Sequence, residues 1–233
     1  QAIMDASRAI MCGHGSLFIA GGVESMTRAP FVMRKAEAAF SRKAEIYDTT
    51  IGWRFPNKKL TDAYYPYSMG ETAENVARQW KISRHAQDEF ALESQLKYFA
   101  ALPAGKWKDE IVPVEITPNK TEQIIFEKDE HPRETSLEKL SQLRPAFLKD
   151  GTVTAGNSSG INDGAAMLFL ANDAMVKQYN LKQMAIVKSM AVAGLGHALM
   201  GIGPVPATQK DIKRSSPPVR DLELSGFDGA VGS

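Results

Sequence analysis

Hydrophobic residues recur at helical spacing in several parts of the chain, and each part lies beside a residue that suits a helix end. Residues 1–14 predict a helix that stops at Gly13, and residues 68–80 predict a second one. A third is predicted to begin after Ser83, and a fourth at 172–179. The expected core positions are Ile3, Ala6, Ile10, Ala73, Val76, Ala77, Trp80, Leu92, Leu96 and Phe99.

Other stretches have the continuous or alternating apolar character of strands. Residues 17–20 form a short apolar run between glycines, which predicts a buried parallel strand. Residues 111–116 alternate and contain a proline, which predicts an edge strand. Residues 152–154 and 185–193 are further predicted strands. Helices that alternate with strands predict a layered α/β fold.

The central segment, residues 151–171, reads GTVTAGNSSGINDGAAMLFLA and places glycines at 156, 160 and 164. Such spacing in a segment of small residues indicates backbone that lies close to a packed neighbour or to a ligand. Neither a Gly-x-Gly-x-x-Gly motif nor a Gly-Lys-Ser/Thr end is present, which argues against a phosphate loop. On the pattern alone, close packing is the preferred explanation.

Composition narrows the possible functions. The chain is 43% hydrophobic and 24% charged with a net charge of +1, which gives no global electrostatic reason to expect nucleic acid or a membrane surface as a partner. No apolar run reaches the length of a membrane span, and no secretion signal is expected. The single cysteine, Cys12, excludes an internal disulfide and a cysteine-based zinc site, so we expect a reducing compartment, most simply the cytoplasm.

Five stretches in order resemble the thiolase family. The central segment resembles the family's signature, and the other four are AGGVESMTRAP at 20–30, SMGETAENVA at 68–77, DEHPR at 129–133 and MGIGPVPAT at 200–208. In finer detail, IYDTTIGWRF at 46–55 resembles the branch that acts on 3-oxoadipyl-CoA and related 3-oxoacyl-CoA esters.

The resemblance implies a layered αβαβα core, incomplete in this chain, with an inserted loop domain. Residues 1–27 and 151–183 would belong to the first thiolase half, 28–150 to the inserted domain and 184–233 to the start of the second half. The implied activity is acyl transfer between a cysteine thiolate and coenzyme A, with acyl-CoA as substrate and no permanently bound cofactor. A homodimer or homotetramer is expected by resemblance, and an organelle matrix is the alternative compartment.

The family's catalytic motifs are absent from the 233 residues. The resemblance places the nucleophilic cysteine in a Cys-x-Ser-Gly motif before Gln1, and the Asn-Glu-Ala-Phe, Gly-His-Pro and Cys-x-Gly-Gly motifs after the chain. We therefore expect a part of a longer protein that is inactive alone. Cys12 lies at the far end of the first helix and is expected to be a structural core residue. His197 lies upstream of the histidine motif, so a surface or packing role is expected.

The resemblance does imply half of a coenzyme A site. Ser159 would offer its hydroxyl to the pantetheine or adenine end, and Ala155 would present backbone beside the pantetheine arm. Gly156, with Gly160, would allow that close approach. The remaining residues implied by the resemblance are Arg133 near the nucleotide, Met69 in the acyl and pantetheine pocket, and Ser68 beside it. Met69 as a core residue and Ser68 as a helix cap are the structural alternatives.

Some polar residues are expected to have structural roles. Asp163 would stabilise a turn, and Glu24 would make hydrogen bonds at a buried strand end. The histidines at 14, 85 and 131 lack metal-ligand spacing, so no metal is expected. Residues 28–59 hold eight Lys and Arg against three acids. This stretch could attract the phosphates of coenzyme A, but a solvated surface loop is the preferred explanation. As an alternative to the enzyme, the chain could be a non-catalytic module for coenzyme A binding or oligomerisation.

Overall fold

A computed structural model describes residues 1–119 and 122–215. The described residues form two compact units, one of residues 1–68 and 161–215 and the other of residues 69–160. The domain boundaries expected from the sequence, with an insertion at 28–150, stay a prediction. The tail after residue 215, including its Pro-Pro break, lies outside the described residues.

The described residues contain seven α-helices and three two-stranded antiparallel sheets. The helices are α1 (Ala2–Met11), α2 (Lys58–Ala63), α3 (Met69–Trp80), α4 (Arg84–Ala101), α5 (Leu137–Ser141), α6 (Asp173–Gln178) and α7 (Pro204–Ser215). The strands are β1 (Leu17–Glu24), β2 (Phe31–Met33), β3 (Ile46–Asp48), β4 (Val114–Asn119), β5 (Glu122–Phe126) and β6 (Gly164–Ala171). No described helix is both long and apolar enough to cross a bilayer.

In the first unit, α1 packs against the sheet of β1 and β6. The helix ends where the sequence predicts, since Gly13 adopts φ +74°, a conformation that favours glycine. Ala6 and Ala20 are buried, whereas Ile19 and its cross-strand partner Phe169 are 62% and 71% exposed. The prediction of a buried parallel strand is therefore wrong. A continuous apolar run in the sequence does not show whether the neighbouring strand is parallel or antiparallel. It also does not show whether a second layer covers the other face of the sheet.

The basic stretch at 28–59 contains more regular structure than the sequence predicts. β2 pairs with β3 in an antiparallel arrangement, and Phe31 lies opposite Asp48. Asn57 caps α2 by accepting a hydrogen bond from the Lys59 backbone N–H at 2.9 Å. The charged residues of the stretch at 28–59 are exposed, as expected for a solvated surface loop. Attraction of coenzyme A phosphates to this stretch stays a prediction.

The second unit is built around α3 and α4. Ala73, Val76 and Ala77 are buried as predicted, which confirms the core face of α3, although Trp80 is 48% exposed. Ser83 caps α4 by accepting a hydrogen bond from the Ala86 backbone N–H at 3.1 Å, as predicted.

The core face of α4 differs from the prediction. Leu96, expected in the core, is 58% exposed, and the buried residues of this helix are the polar Gln87 and Asp88. These two belong to the first turns of α4, where they contact the segment around Thr152 and Asn157. Helical periodicity identifies an apolar face, but it does not reveal a polar patch that another segment of the chain covers.

Strand positions are the least accurate part of the prediction. The edge strand expected at 111–116 exists as β4, which begins at Val114 and pairs with β5. Residues 152–154 are not a strand, and only Thr154 makes an isolated bridge, to Pro145. Residues 185–193 have no regular structure. A β-branched run becomes a strand only where another strand pairs with it. The fourth predicted helix is confirmed as α6, capped by Asn172.

Candidate functional site

Residues 154–160, here called the signature turn, are held by their own polar groups. The Thr154 backbone N–H donates to Asn157 Oδ1 at 2.7 Å, and the Gly156 N–H donates to Thr154 Oγ1 at 3.2 Å. Ser158 Oγ donates to the Thr154 carbonyl at 2.7 Å. Side chains of small polar residues replace the backbone ladder that a strand would supply. The turn is therefore a defined local structure.

The buried carboxylate of Glu74, on α3, anchors the segment that leads into the signature turn. It accepts hydrogen bonds from the backbone N–H groups of Thr152 and Val153 at 2.7 and 2.8 Å, and from Thr152 Oγ1 at 3.0 Å. Glu74 is only 4% exposed. Hydrogen bonds to a charged acceptor are stronger than neutral ones, and here they satisfy the buried N–H of Val153 and the partly buried N–H of Thr152.

A second buried carboxylate, Asp88 on α4, holds the signature turn itself. Asp88 Oδ1 accepts a hydrogen bond from Asn157 Nδ2 at 3.0 Å, and Arg84 Nε pairs with Asp88 Oδ2 at 2.8 Å. The same Asn157 nitrogen donates to the Thr152 carbonyl at 3.0 Å. Arg84 also donates to the carbonyls of Leu140 and Leu143, at 2.6 and 3.0 Å. Through buried carboxylates, α4 is thus connected to the turn itself and α3 to the segment that leads into it.

Close packing explains the glycine at position 156. A Cβ built there would lie 2.5 Å from Leu143 Cδ1 and 2.6 Å from Leu140 Cδ2. Leu140 is one of the most buried residues of the second unit. The packing interpretation preferred on the sequence pattern thus accounts for Gly156, and a contact of its backbone with a ligand stays a prediction.

The signature turn has one buried and one exposed side. Val153, Thr154 and Asn157 are buried, whereas Ala155 and Ser159 are exposed. Among the described residues, the Ser159 hydroxyl has no hydrogen-bond partner. A hydroxyl that is free to donate or accept, on a turn whose other side is fixed, can bind a ligand without breaking an existing contact.

The structure brings three of the six predicted site residues, Ala155, Gly156 and Ser159, into one turn. Met69 is the first residue of α3 and is partly exposed. Arg133 has an exposed side chain, and its backbone N–H donates to Gln95 Oε1 at 2.9 Å. Ser68 is half-buried and belongs to the first unit. Among the described residues, no hydrogen bond or ring contact joins Met69 or Arg133 to the signature turn.

A cavity of about 380 Å³ opens elsewhere in the second unit. None of the six predicted residues lines it, although Glu74 and Thr152 do. Its lining residues are Glu74, Ala77, Arg78, Lys81, Ile82, Leu148, Asp150, Gly151 and Thr152.

Two structural expectations are wrong. Cys12 is exposed at the C-terminal cap of α1 and is therefore not a core residue. Glu24, expected to make hydrogen bonds at a buried strand end, is exposed and has no side-chain partner among the described residues. His197 has the expected surface role, and its ring contacts Tyr64 and Tyr67 at centroid distances of 5.3 and 5.7 Å. Within the described ranges, no cluster of three metal-ligating side chains occurs.

Asp163 has a structural role, as expected, but its partner is distant in sequence. Its carboxylate accepts hydrogen bonds from Thr27 Oγ1 at 2.6 Å and from the Thr27 backbone N–H at 2.9 Å. These bonds favour the charged form and lower the pKa of Asp163. The contact joins the end of β1 to the start of β6 within the first unit.

Replacing Thr27 by valine is expected to raise the pKa of Asp163 toward the usual carboxyl range, because the strongest of these hydrogen bonds is lost. Since the folded pKa is the lower one, Asp163 stabilises the fold above its unfolded pKa of about 3.9 and loses this effect as pH falls through the folded value. NMR titration of the Asp163 carboxyl measures the change. An identical pKa in the wild type and in Thr27→Val would contradict the assignment.

Comparison with known proteins identifies the family. Residues 1–174 match the family described as thiolase, N-terminal domain. The chain belongs to the thiolase family. It is 50% identical over 229 residues to the 3-oxoadipyl-CoA/3-oxo-5,6-dehydrosuberyl-CoA thiolase of Escherichia coli K12, which covers 98% of this chain and 57% of that protein. It is 51% identical over 234 residues to the beta-ketoadipyl-CoA thiolase of Pseudomonas putida, which covers 100% of this chain and 58% of that protein.

Solved thiolase structures confirm the predicted α/β fold class. The chain superposes on the Bacillus anthracis acetyl-CoA acetyltransferase with a TM-score of 0.83 and 38% identity, covering 96% of this chain and 56% of the other. It superposes on the human mitochondrial 3-ketoacyl-CoA thiolase in complex with CoA with a TM-score of 0.82 and 36% identity, covering 96% and 55%. The thiolase chain described here therefore spans a little over half the length of these relatives.

Sequence reasoning identified the signature turn but missed the side chains that hold it. Glu74, Asp88 and Asn157 were not among the candidates. One signal was present, because Glu74 borders the face that Ala73, Val76 and Ala77 define and is buried together with it. A charged residue on a buried helical face requires a partner, and here that partner is the backbone of residues 152–153.

Proposed function

We propose that the protein is an acetyl-CoA C-acyltransferase of the thiolase type. It would cleave a 3-oxoacyl-CoA with free coenzyme A to give acetyl-CoA and a shortened acyl-CoA. We propose 3-oxoadipyl-CoA as the substrate, because the E. coli and P. putida relatives carry this compound in their names and residues 46–55 resemble that branch. The observation that carries the proposal is the exposed side of the signature turn, where the Ser159 hydroxyl has no hydrogen-bond partner within residues 1–119 and 122–215.

In this proposal the chain supplies binding groups. Ser159 donates to or accepts from an amide of the pantetheine arm, and Ala155 offers its exposed backbone to the same arm. Met69 contributes apolar surface, and Ser68 lies next to it in the chain. Arg133 has an exposed guanidinium that can pair with phosphate or stack on the adenine. A rigid frame lowers the ordering cost of binding, and the buried contacts of Glu74 and Asn157 provide one.

The reaction needs groups that the 233 residues do not contain. A cysteine thiolate must attack the 3-oxo carbonyl, a second acid or base must protonate the leaving carbon, and donors must hold the thioester oxygens. None of the motifs that carry these groups in thiolases occurs in the sequence. A second candidate is a non-catalytic module that binds coenzyme A or mediates oligomerisation, because the exposed side of the signature turn could bind coenzyme A without any catalytic group. A homodimer or homotetramer in the cytoplasm is proposed with either function.

The Ser159→Ala variant tests the binding role. In the protein purified as its gene encodes it, we expect KM for coenzyme A to rise roughly fivefold with kcat unchanged, because one hydrogen bond of about 1 kcal/mol is lost. The matched control is Ser94→Ala, an exposed serine on α4, which should leave KM unchanged. The assay monitors thiolysis of 3-oxoadipyl-CoA as the decrease in absorbance of the 3-oxoacyl thioester.

The outcomes separate the two candidates. Absence of thiolysis together with coenzyme A binding by calorimetry would support the non-catalytic module. Absence of both thiolysis and binding would overturn the proposed function. An unchanged KM in Ser159→Ala, with thiolysis intact, would remove Ser159 from the binding site and leave the activity standing.

A further inference from the structure

We propose that Asn157 is a positioning residue for coenzyme A, and that the buried Asp88 acts on the binding turn through it. The inference rests on the proposed binding by Ser159 and Ala155. Asn157 itself is buried, so it holds the turn from its inner side and is not expected to touch the ligand.

The amide of Asn157 is the only type of side chain that fits its three partners. Its oxygen accepts from the Thr154 backbone N–H at 2.7 Å. Its nitrogen donates one hydrogen to Asp88 Oδ1 and the other to the Thr152 carbonyl, each at 3.0 Å. An aspartate has the same shape and no hydrogen to donate, so it would face two acceptors. The site therefore requires one acceptor and two donors in fixed directions.

Asp88 is fixed from its other side. It is 2% exposed, and its second oxygen pairs with Arg84 Nε at 2.8 Å. Arg84 in turn donates to the carbonyls of Leu140 and Leu143, the two residues whose side chains pack at Gly156. The carboxylate of Asp88 therefore cannot rotate away from Asn157 without leaving buried groups unpaired.

This arrangement connects the inner side of the turn to its binding side. Asn157 fixes Thr154, and the Thr154 hydroxyl accepts from the Gly156 N–H. Ala155 lies between these two residues, and Ser159 lies two residues after Asn157. A change in the Asn157 contacts therefore alters the direction of the Ala155 backbone and of the Ser159 hydroxyl. A small displacement of a binding group costs affinity even when the group itself is unchanged.

The test measures Kd for free coenzyme A by titration calorimetry, with the protein purified as its gene encodes it. We expect Asn157→Asp to weaken binding about tenfold, because two donors are lost and a second carboxylate faces Asp88. Adding Asp88→Asn in the same chain returns a donor to this contact and should recover at least part of the loss. Asp88→Asn alone should weaken binding about threefold. If Asn157→Asp does not fold, Asp88→Asn is used as the test variant in its place.

A control separates positioning from general loss of stability. Ser83→Ala removes the N-cap of the helix that carries Asp88, which lowers stability without altering Asn157. It should lower Tm and leave Kd unchanged. All titrations are made at a temperature at which each variant is folded by circular dichroism, and the amide shifts of Ala155 and Ser159 report the local change.

Each result decides the inference. Weaker binding in Asn157→Asp, recovery in the double variant and an unchanged Kd in Ser83→Ala support it. If Asn157→Asp, or Asp88→Asn in its place, lowers Tm and leaves Kd unchanged, positioning by Asn157 is overturned while the proposed function stands. If Ser83→Ala weakens binding as much as Asn157→Asp, the effect is one of stability and the inference is wrong. If the wild type does not bind coenzyme A, the inference fails together with the proposed function.

Discussion

Replacing Glu74 by leucine is expected to lower the free energy of unfolding of the second unit by about 3–5 kcal/mol. The substitution keeps a side chain of similar size and removes the acceptor of three hydrogen bonds. The backbone N–H of Val153 would remain buried without a partner, and that of Thr152 would be partly so. Urea unfolding measures the change in free energy, and hydrogen exchange at Val153 measures the local loss of protection.

Two further variants show whether the carboxylate itself is responsible. Glu74→Gln retains one acceptor, so it should cost less than Glu74→Leu, about 1–2 kcal/mol. Glu89→Gln changes an exposed glutamate of α4, 58% exposed at its side chain, and should stay within about 0.5 kcal/mol of wild type. If the free energy of unfolding of Glu74→Leu is also within about 0.5 kcal/mol of wild type, the anchoring role assigned to Glu74 is wrong.

Substitutions at Leu140 and Gly156 are expected to have the second large effect on the free energy of unfolding, because these two residues pack together on the inner side of the signature turn. Leu140→Ala should cost about 2–5 kcal/mol, since Leu140 is 3% exposed and its removal leaves a cavity. Gly156→Ala should cost about 1–3 kcal/mol, because the new methyl group would overlap both Leu140 and Leu143. Its φ is not positive, so the cost comes from packing and not from backbone strain.

The two substitutions should not be additive. With Leu140 reduced to alanine, the methyl group at position 156 has space on that side and overlaps only Leu143. Gly156→Ala should therefore cost less in the Leu140→Ala background than in wild type, which a double-mutant cycle by urea unfolding measures. Gly164→Ala is the control, because nothing lies within 4 Å of a Cβ there. Additive losses would mean that Gly156 and Leu140 do not share the contact described.

Local signals in the sequence predict the helices well. Ser83 and Asn172 are side chains that cap helices within their own neighbourhood, and both caps are present as expected. Gly13 ends α1 by a conformation that the residue type itself favours. These features depend on residues three or four positions apart, so the sequence contains both members of each interaction.

Features that depend on distant partners are not predictable in the same way. The direction of β1 is set by β6, more than a hundred residues later, and a continuous apolar run is equally compatible with either direction. The run at 185–193 has strand character and no strand partner among the described residues. Exposure of Ile19 and Leu96 likewise depends on which segments cover them.

The candidate site shows the same division. The glycine spacing and the family resemblance located the signature turn, and both can be read from residues 151–171 alone. Glu74 and Asp88 lie 78 and 69 positions from their partners Thr152 and Asn157, and nothing in the spacing connects them. A buried charged residue on a helix can be suspected from the sequence, but its partner becomes visible only in the folded chain.

Binding of coenzyme A at the exposed side of the signature turn is measured most directly by NMR, with the amides of Ala155, Gly156 and Ser159 followed during a titration with free coenzyme A. We expect the chemical shifts of these three amides to change together along one saturation curve. In Ser159→Ala the same curve should saturate at a higher coenzyme A concentration, because Kd is larger. Saturable binding of coenzyme A that leaves all three amides unmoved would place the ligand elsewhere and contradict the assignment of this turn as its site.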